Sequence, residues 1–301
     1  MTAKANPVLK RLGLDDSDRV VIMHADDIGM CHATITAFAK AIDFGIVTSG
    51  SIMVPCPWFL EMAAWCRANP DADVGVHATV TSEWKTYRWG PMTTRDPASG
   101  LIDDEGYFPH RRTGVDSPVD LDAVELEVRT QIDRAVEAGI HLTHVDQHMF
   151  ALGYPTLLPA YLKPVLERGL PPILFRSEER YRRWTGVEGA ADEVVRRVAE
   201  LIERGVPAFD SIYQLPLQEP EGQVEITKQV IDDLEPGLHL ILMHPVDDTP
   251  EARAIIPSWK ARVANLEAML SEELAAHIKN RGVHLIGYRP LHELMQQVTI
   301  A

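Results

Sequence analysis

The sequence predicts an α/β fold, a single distorted (β/α) TIM-like barrel with seven or eight mostly parallel strands. Three observations carry this. Short apolar runs alternate with segments of helical periodicity along most of the chain, as repeated βα units do. The length, 301 residues, suits a barrel, which commonly takes about 250 residues as one unit. No glycine-rich nucleotide fingerprint follows any strand, which weighs against a doubly wound open sheet. Residues 1–301 therefore read as one domain, with a long loop insertion at about 81–118.

The first strand is Val20-Val21-Ile22-Met23, and His24-Ala25-Asp26-Asp27-Ile28-Gly29 follows it as a strand-to-helix turn. From about 32 to 44, Ile35, Phe38, Ala39 and Ile42 recur at helical spacing, and Gly45 closes the helix. Thr48–Val54 is the second strand, a helix runs from Pro57 through Trp65, and Val74–Val80 is the third strand, with His77 near its end. From Thr81 to Pro118 neither period persists, yet Trp84, Tyr87, Trp89, Tyr107 and Phe108 are too many aromatics for a disordered linker. Their flat faces suit stacking on sugar rings, as in a lid; a loop packed onto its own barrel explains them equally. Residues 120–138 form an amphipathic helix, and His141–Asp146 is the fourth strand, leading into Gln147-His148. After a helix over 155–168, Ile173–Arg176 is a short fifth strand; Arg180–Arg183 reads as a solvated face. Helices at about 190–204 and 223–234 flank the sixth strand, Ala208–Tyr213. Leu238–Met243 is the seventh and ends in His244-Pro245; Val283–Tyr288 is the eighth, before a last helix through Met295. The helices near 259–278 offer apolar faces on which a homodimer could form.

A net charge of −15 excludes nucleic acid or an anionic membrane as the main partner, because phosphate binding needs a basic surface. No apolar run reaches the roughly 18 residues of a membrane span, and the start, Met1–Pro7, lacks an apolar signal core, so a cytoplasmic protein is expected. Cys31, Cys56 and Cys66 form no CxxC pair and read as reduced thiols.

Residues just past the C-terminal ends of barrel strands converge on one face. There the sequence places Asp26 and Asp27, His77, Asp146 and His148, Arg176 and His244. Two imidazoles and a carboxylate are what a divalent metal with open positions asks for. Adjacent carboxylates such as Asp26 and Asp27 suit a metal ligand beside a general base; a solvated Asp26 with Asp27 capping the next helix explains the pair equally. His24 and His144 are close enough to serve as donors behind the ligands. His141, His239 and His284 fall early in their strands, and His32, His110, His277 and His292 in helices or loops. Arg176 could neutralise Asp26 or hold substrate, and Trp84 and Trp89 are the stacking candidates.

Together Ala25–Gly29, Gly45-Ile46-Val47-Thr48-Ser49, Val74-Gly75-Val76-His77, Thr143–His148 and Met243-His244-Pro245 resemble the YdjC-like carbohydrate deacetylase family, which includes chitooligosaccharide deacetylases. The resemblance runs in order from about residue 19 to 289. It implies a distorted barrel, a divalent metal (Zn²⁺ or Mg²⁺), and hydrolysis of an N-acetyl group from a sugar. Position by position it makes Asp27, His77 and His148 the metal ligands, Asp26 the base and His244 a protonated acid. Two positions depart from the family pattern: Ile28 stands where Phe is usual, and only His148 remains of a His-rich run. The competing readings are a metallo-phosphoesterase acting on a sugar phosphate and a non-catalytic carbohydrate-binding barrel.

Overall fold

Strand β1 (Arg19–Ile28) is the axis of the fold. It is buried almost throughout, as its unbroken apolar run requires of a parallel strand covered on both faces. On one side it pairs with β6 (Gly237–Met243) in continuous parallel register from Arg19↔Gly237 to Ala25↔Met243. On its other side two short strands share its length. β7 (His284–Leu285) takes the lower part at Val20 and Val21, and β2 (Ser49–Ile52) the upper part from His24 onward. β3 (Val74–Ala78) and β4 (Leu142–Gln147) continue from β2, and β5 (Ser211–Gln214) from β6, giving the order β4-β3-β2-β1-β6-β5. Every pairing is parallel. The computed structural model describes residues 5–111, 119–179, 181 and 190–298. Residues 112–118 of the long loop, and Arg180, Arg182 and Arg183, lie outside the described residues.

The seven strands fulfil the expected parallel α/β architecture, and the distortion lies between β4 and β5. Among the described residues no ladder joins these edges. Isolated bridges span the gap instead, Val145↔Pro172 and Phe175↔Phe209. The N–H groups of Ile173 and Phe175 donate to the hydroxyls of Tyr161 and Tyr181, at 3.2 and 2.9 Å, and Tyr161 in turn donates to Val145 O, so the predicted fifth strand, Ile173–Arg176, makes an isolated bridge and no ladder. The sixth begins only at Ser211, and the last shrinks to two residues before Gly287, where a Cβ would collide with the Asp73 carboxylate.

Around the sheet lie α1 (Pro7–Arg11), α2 (His32–Phe44), α3 (Phe59–Ala68), α4 (Leu121–Glu137), α5 (Leu158–Glu167), α6 (Ala190–Glu203), α7 (Gln223–Asp232), α8 (Pro250–Ile255), α9 (Trp259–Met269), α10 (Glu272–Asn280) and α11 (Arg289–Met295). Gly45 ends α2 with φ 96°, the left-handed stop its sequence announced. Among the described residues no helix is long and apolar enough to cross a membrane. The three cysteines are buried free thiols.

Strand alternation divides the interior by height. Val20 and Ile22 of β1 join Leu238, Leu240 and Leu242 of β6 in one apolar cluster. Continuing by twos, the same faces carry His24 and Asp26 on β1 and His244 after β6. Val21, Met23 and Ala25 belong to the other cluster, against the surrounding helices. The interior is thus apolar at the N-terminal ends of the strands and polar at their C-terminal ends.

Candidate metal centre and active site

Neighbouring residues of a regular strand point to opposite faces. Asp26 and Asp27 escape this because β1 breaks register between Ala25 and Ile28, and Asp27 turns left-handed with φ 63°. Asp tolerates that conformation better than most residues, and such irregularities re-aim side chains. Asp27 does not cap α2, whose N-cap position is Cys31.

Oδ1 of Asp27 lies 3.4 Å from Nε2 of His77 and 3.0 Å from Nδ1 of His148, and the two nitrogens are 3.3 Å apart. Three donors about 2.1 Å from one ion are separated by about 3.0 Å at octahedral and about 3.4 Å at tetrahedral angles. The triangle matches that spacing. The far side of each imidazole faces a carboxylate: His77 Nδ1 donates to Asp146 Oδ1 at 2.8 Å, and His148 Nε2 to Glu83 Oε2 at 3.0 Å. A carboxylate only accepts, so each pairing places a proton there and turns the other nitrogen's lone pair inward when the ring is neutral. Oδ1 of Asp27 is buried with no hydrogen-bond donor, while Arg262 Nη1 holds Oδ2 at 2.7 Å. An orphaned carboxylate oxygen between two imidazole nitrogens fits a divalent cation.

The electrostatics agree. Burial opposes charge on Asp27, but Arg262 and then His148 overcome it and hold the carboxyl well below its usual range. Burial pulls the His77 and His148 rings down, yet the carboxylates beside them win, raising His77 well above its ordinary value and His148 to about 9.

Asp26 lies beside this triangle. Its Oδ1 is 3.2 Å from His24 Nε2 and its Oδ2 is 3.6 Å from His244 Nε2. His244 is placed by its own backbone N–H, which donates to Asn265 Oδ1 at 3.0 Å. Burial, and then the charge of Arg262, lower the His244 ring to about 4. Burial and Arg262 thus favour the neutral ring over the imidazolium that the resemblance implies.

The long loop is packed onto its own barrel over its described part. Glu127 of α4 accepts the backbone N–H groups of Met92 and Thr93, and Trp89 Nε1 donates to Thr81 O at 2.8 Å. Trp89 is 3% exposed and lies edge-on to His148, so it packs the centre and presents no face for stacking on a substrate, contrary to expectation. Trp84 and Tyr87 are half-buried, and the Arg262 guanidinium lies 5.9 Å from the Trp84 ring. Arg176 pairs with Asp210 at 2.5 Å, and Asp210 accepts the N–H of Leu238 at the start of β6. His244 stands six residues further on, about 20 Å along a strand. The charge of Arg176 is thus engaged by Asp210, near the start of β6, whereas Asp26 and His244 stand at the other end of these strands.

Sequence reasoning missed Glu83 and Arg262. Glu83 follows β3 inside an aperiodic stretch, so only its closeness to the end of that strand could have marked it. Arg262 is a 4% exposed cation in α9, where charge ordinarily signals a solvated face.

The YdjC-like protein family matches residues 20–280. A carbohydrate deacetylase of Thermus thermophilus is 33% identical over 269 residues, covering 89% of this chain and 92% of that protein. One from Listeria monocytogenes is 25% identical over 280 residues, covering 90% and 99%. Among solved structures, a protein of Enterococcus faecalis described as a candidate for cellobiose-phosphate cleavage shares the fold. Its TM-score is 0.74 and its identity 24%, covering 91% of this chain and 99% of that one.

Proposed function

The chain belongs to the YdjC-like family, and from that premise we propose that it is a metal-dependent carbohydrate deacetylase acting on an N-acetylated sugar of chitooligosaccharide type. The observation that carries this reading is the triangle of Asp27 Oδ1, His77 Nε2 and His148 Nδ1, with sides of 3.4, 3.3 and 3.0 Å. These residues would hold the ion, and two imidazoles with one carboxylate favour Zn²⁺ over Mg²⁺. Such an ion supplies Lewis acidity, activating water and polarising the amide carbonyl.

The chain's own groups supply the rest. Arg262 keeps Asp27 ionised, and Asp146 and Glu83 fix the imidazoles through their outer nitrogens. Asp26 takes the proton of the attacking water. His244 Nε2, 3.6 Å away and neutral at rest, receives that proton and passes it to the departing nitrogen. The water's oxygen ends in acetate and the sugar leaves as the free amine. Trp84 presents a half-buried ring beside Arg262, with the half-buried Tyr87 ring 6.2 Å from it, and the two suit a sugar face.

Acetate release tests the reading directly. Protein stripped by chelator is given N-acetylglucosamine monomers and oligomers with Zn²⁺, Mg²⁺ or Co²⁺ returned. Restored acetate, lost again in Asp26→Ala and His148→Ala, supports it. Phosphate from sugar phosphates with no acetate from any acetylated sugar would overturn it.

A further inference from the structure

His24 is a buried side chain that this mechanism leaves unused. Its ring is fully enclosed, with Nδ1 2.6 Å from Ser49 Oγ and edge contacts to His144 and Tyr288. Its Nε2 hydrogen-bonds Asp146 Oδ2 at 2.9 Å and lies 3.2 Å from Asp26 Oδ1, an oxygen with no hydrogen-bond donor of its own. Two carboxylates that can only accept thus face one ring nitrogen, which must carry the proton. Asp146 gives its other oxygen to His77, and Ser51 Oγ bridges the group by donating to Asp146 Oδ2 at 2.9 Å. A continuous path runs from Asp26 through His24 and Asp146 to His77. It joins the residue read as the base to one of the residues read as metal ligands.

We propose that His24 is a positioning residue that sets both halves of the centre at once, orienting His77 through Asp146 and holding Asp26 in place across its ring edge. The inference rests on the reading of Asp27, His77 and His148 as a metal centre. Two features support it. Ser49 and Ser51, the small residues opposite His24 on β2, leave room for the ring and supply hydroxyls to both its nitrogens. The Asp146 and Asp26 carboxylates raise the ring to about 9 against the effect of burial, so the contact is one between opposite charges at neutral pH.

The test is Co²⁺ affinity by chelator competition on the metal-free full chain, for wild type, His24→Leu, His24→Gln, Asp146→Asn and the double variant His24→Leu/Asp146→Asn. Folding is checked by near-ultraviolet circular dichroism. His24→Leu is expected to weaken Co²⁺ binding by about tenfold to a hundredfold, the loss typical of a group behind a ligand. His24→Gln, which restores an N–H, should recover most of it. In the double variant the loss should not exceed that of Asp146→Asn alone, because both substitutions cut one path; a merely structural residue would give additive losses. Should His24→Leu not fold, Ser49→Ala, which frees one edge of the ring, is expected to weaken binding several-fold. Wild-type affinity in a folded His24→Leu protein, or in Ser49→Ala where that variant must serve instead, overturns the inference. A wild-type chain that takes up no Co²⁺ overturns the metal-centre reading itself, and the inference with it.

Discussion

Arg262 grips one oxygen of Asp27 at 2.7 Å and leaves the other, with no hydrogen-bond donor, turned toward the two imidazoles. Both partners are almost fully buried, with side-chain exposures of 5% and 1%. Removing one member of such a pair strands a charge in the interior, at a cost of about 3–5 kcal/mol. Arg262→Met should therefore unfold at markedly lower urea concentration than wild type, with an unchanged denaturant slope. A loss below about 1 kcal/mol would show that Asp27 does not depend on this guanidinium for its charge. The sign on the acid side follows from the depressed pKa. The pair stabilises fully above the unfolded carboxylate value of 3.8 and is lost as pH falls through the lower folded value.

Metal uptake is expected to release protons. Although burial lowers it, the His148 ring is raised to about 9 by Glu83 and Asp27, so at pH 7 the metal-free site carries a proton where the ion would bind. Apparent affinity should climb with pH toward 9, by about tenfold per pH unit for each proton displaced. Calorimetry of Co²⁺ binding in buffers of different ionisation enthalpy reads that number. Affinity independent of pH between 6 and 8 would mean that the rings are already neutral.

Glu83 gives the sharpest mutational test of the loop. Its carboxylate meets His148 Nε2 at the edge of the centre with 18% exposure, so Glu83→Gln should fold normally. The expected effect is a loss of about tenfold to a hundredfold in metal affinity, with a thermal midpoint close to wild type in the metal-free state. Equal affinity in the two proteins would reduce Glu83 to a contact that merely fastens the loop.

How far the site was legible follows from how each residue is placed. Asp26, Asp27, His77, His148 and His244 stand at or just past strand ends, and parallel strands with continuous apolar runs could be located in the chain. Alternation by two then puts His24 and Asp26 above Val20 and Ile22, on one inward face. The remainder depended on tertiary contacts that no period records. Arg262 reaches the centre from α9, a helix outside the sheet, and Glu83 from a loop shaped by its packing on Glu127. Trp84 and Trp89 are chemically alike in sequence, and only the packing shows that one ring is enclosed while the other is half-exposed. Arg176 misled because the hydroxyls of Tyr161 and Tyr181 take the N–H groups that the predicted strand would have used, a tertiary contact no period records, and the guanidinium pairs with Asp210.

His244 and His24 pull stability in opposite directions with pH, and this can be measured without substrate. Burial and Arg262 lower His244 from 6.5 to about 4, so below pH 6.5 the unfolded chain binds a proton that the folded chain refuses. Folding should weaken from pH 6.5 down to about 4, by about 3 kcal/mol from this group alone. His24 is raised to about 9 by Asp146 and Asp26 despite burial. Its contribution is complete below 6.5 and is lost as pH rises through 9, again about 3 kcal/mol. The metal-free protein is thus expected to be most stable near pH 6.5. His244→Gln should make the acid side of that maximum shallower, where His144 also contributes, and His24→Gln the alkaline side, where His77 and His148 also contribute. Urea titrations at half-unit steps from pH 5 to 9 separate the two limbs. An unchanged acid limb in His244→Gln would show that this imidazole is not held neutral, and would return it to the role of a resident acid.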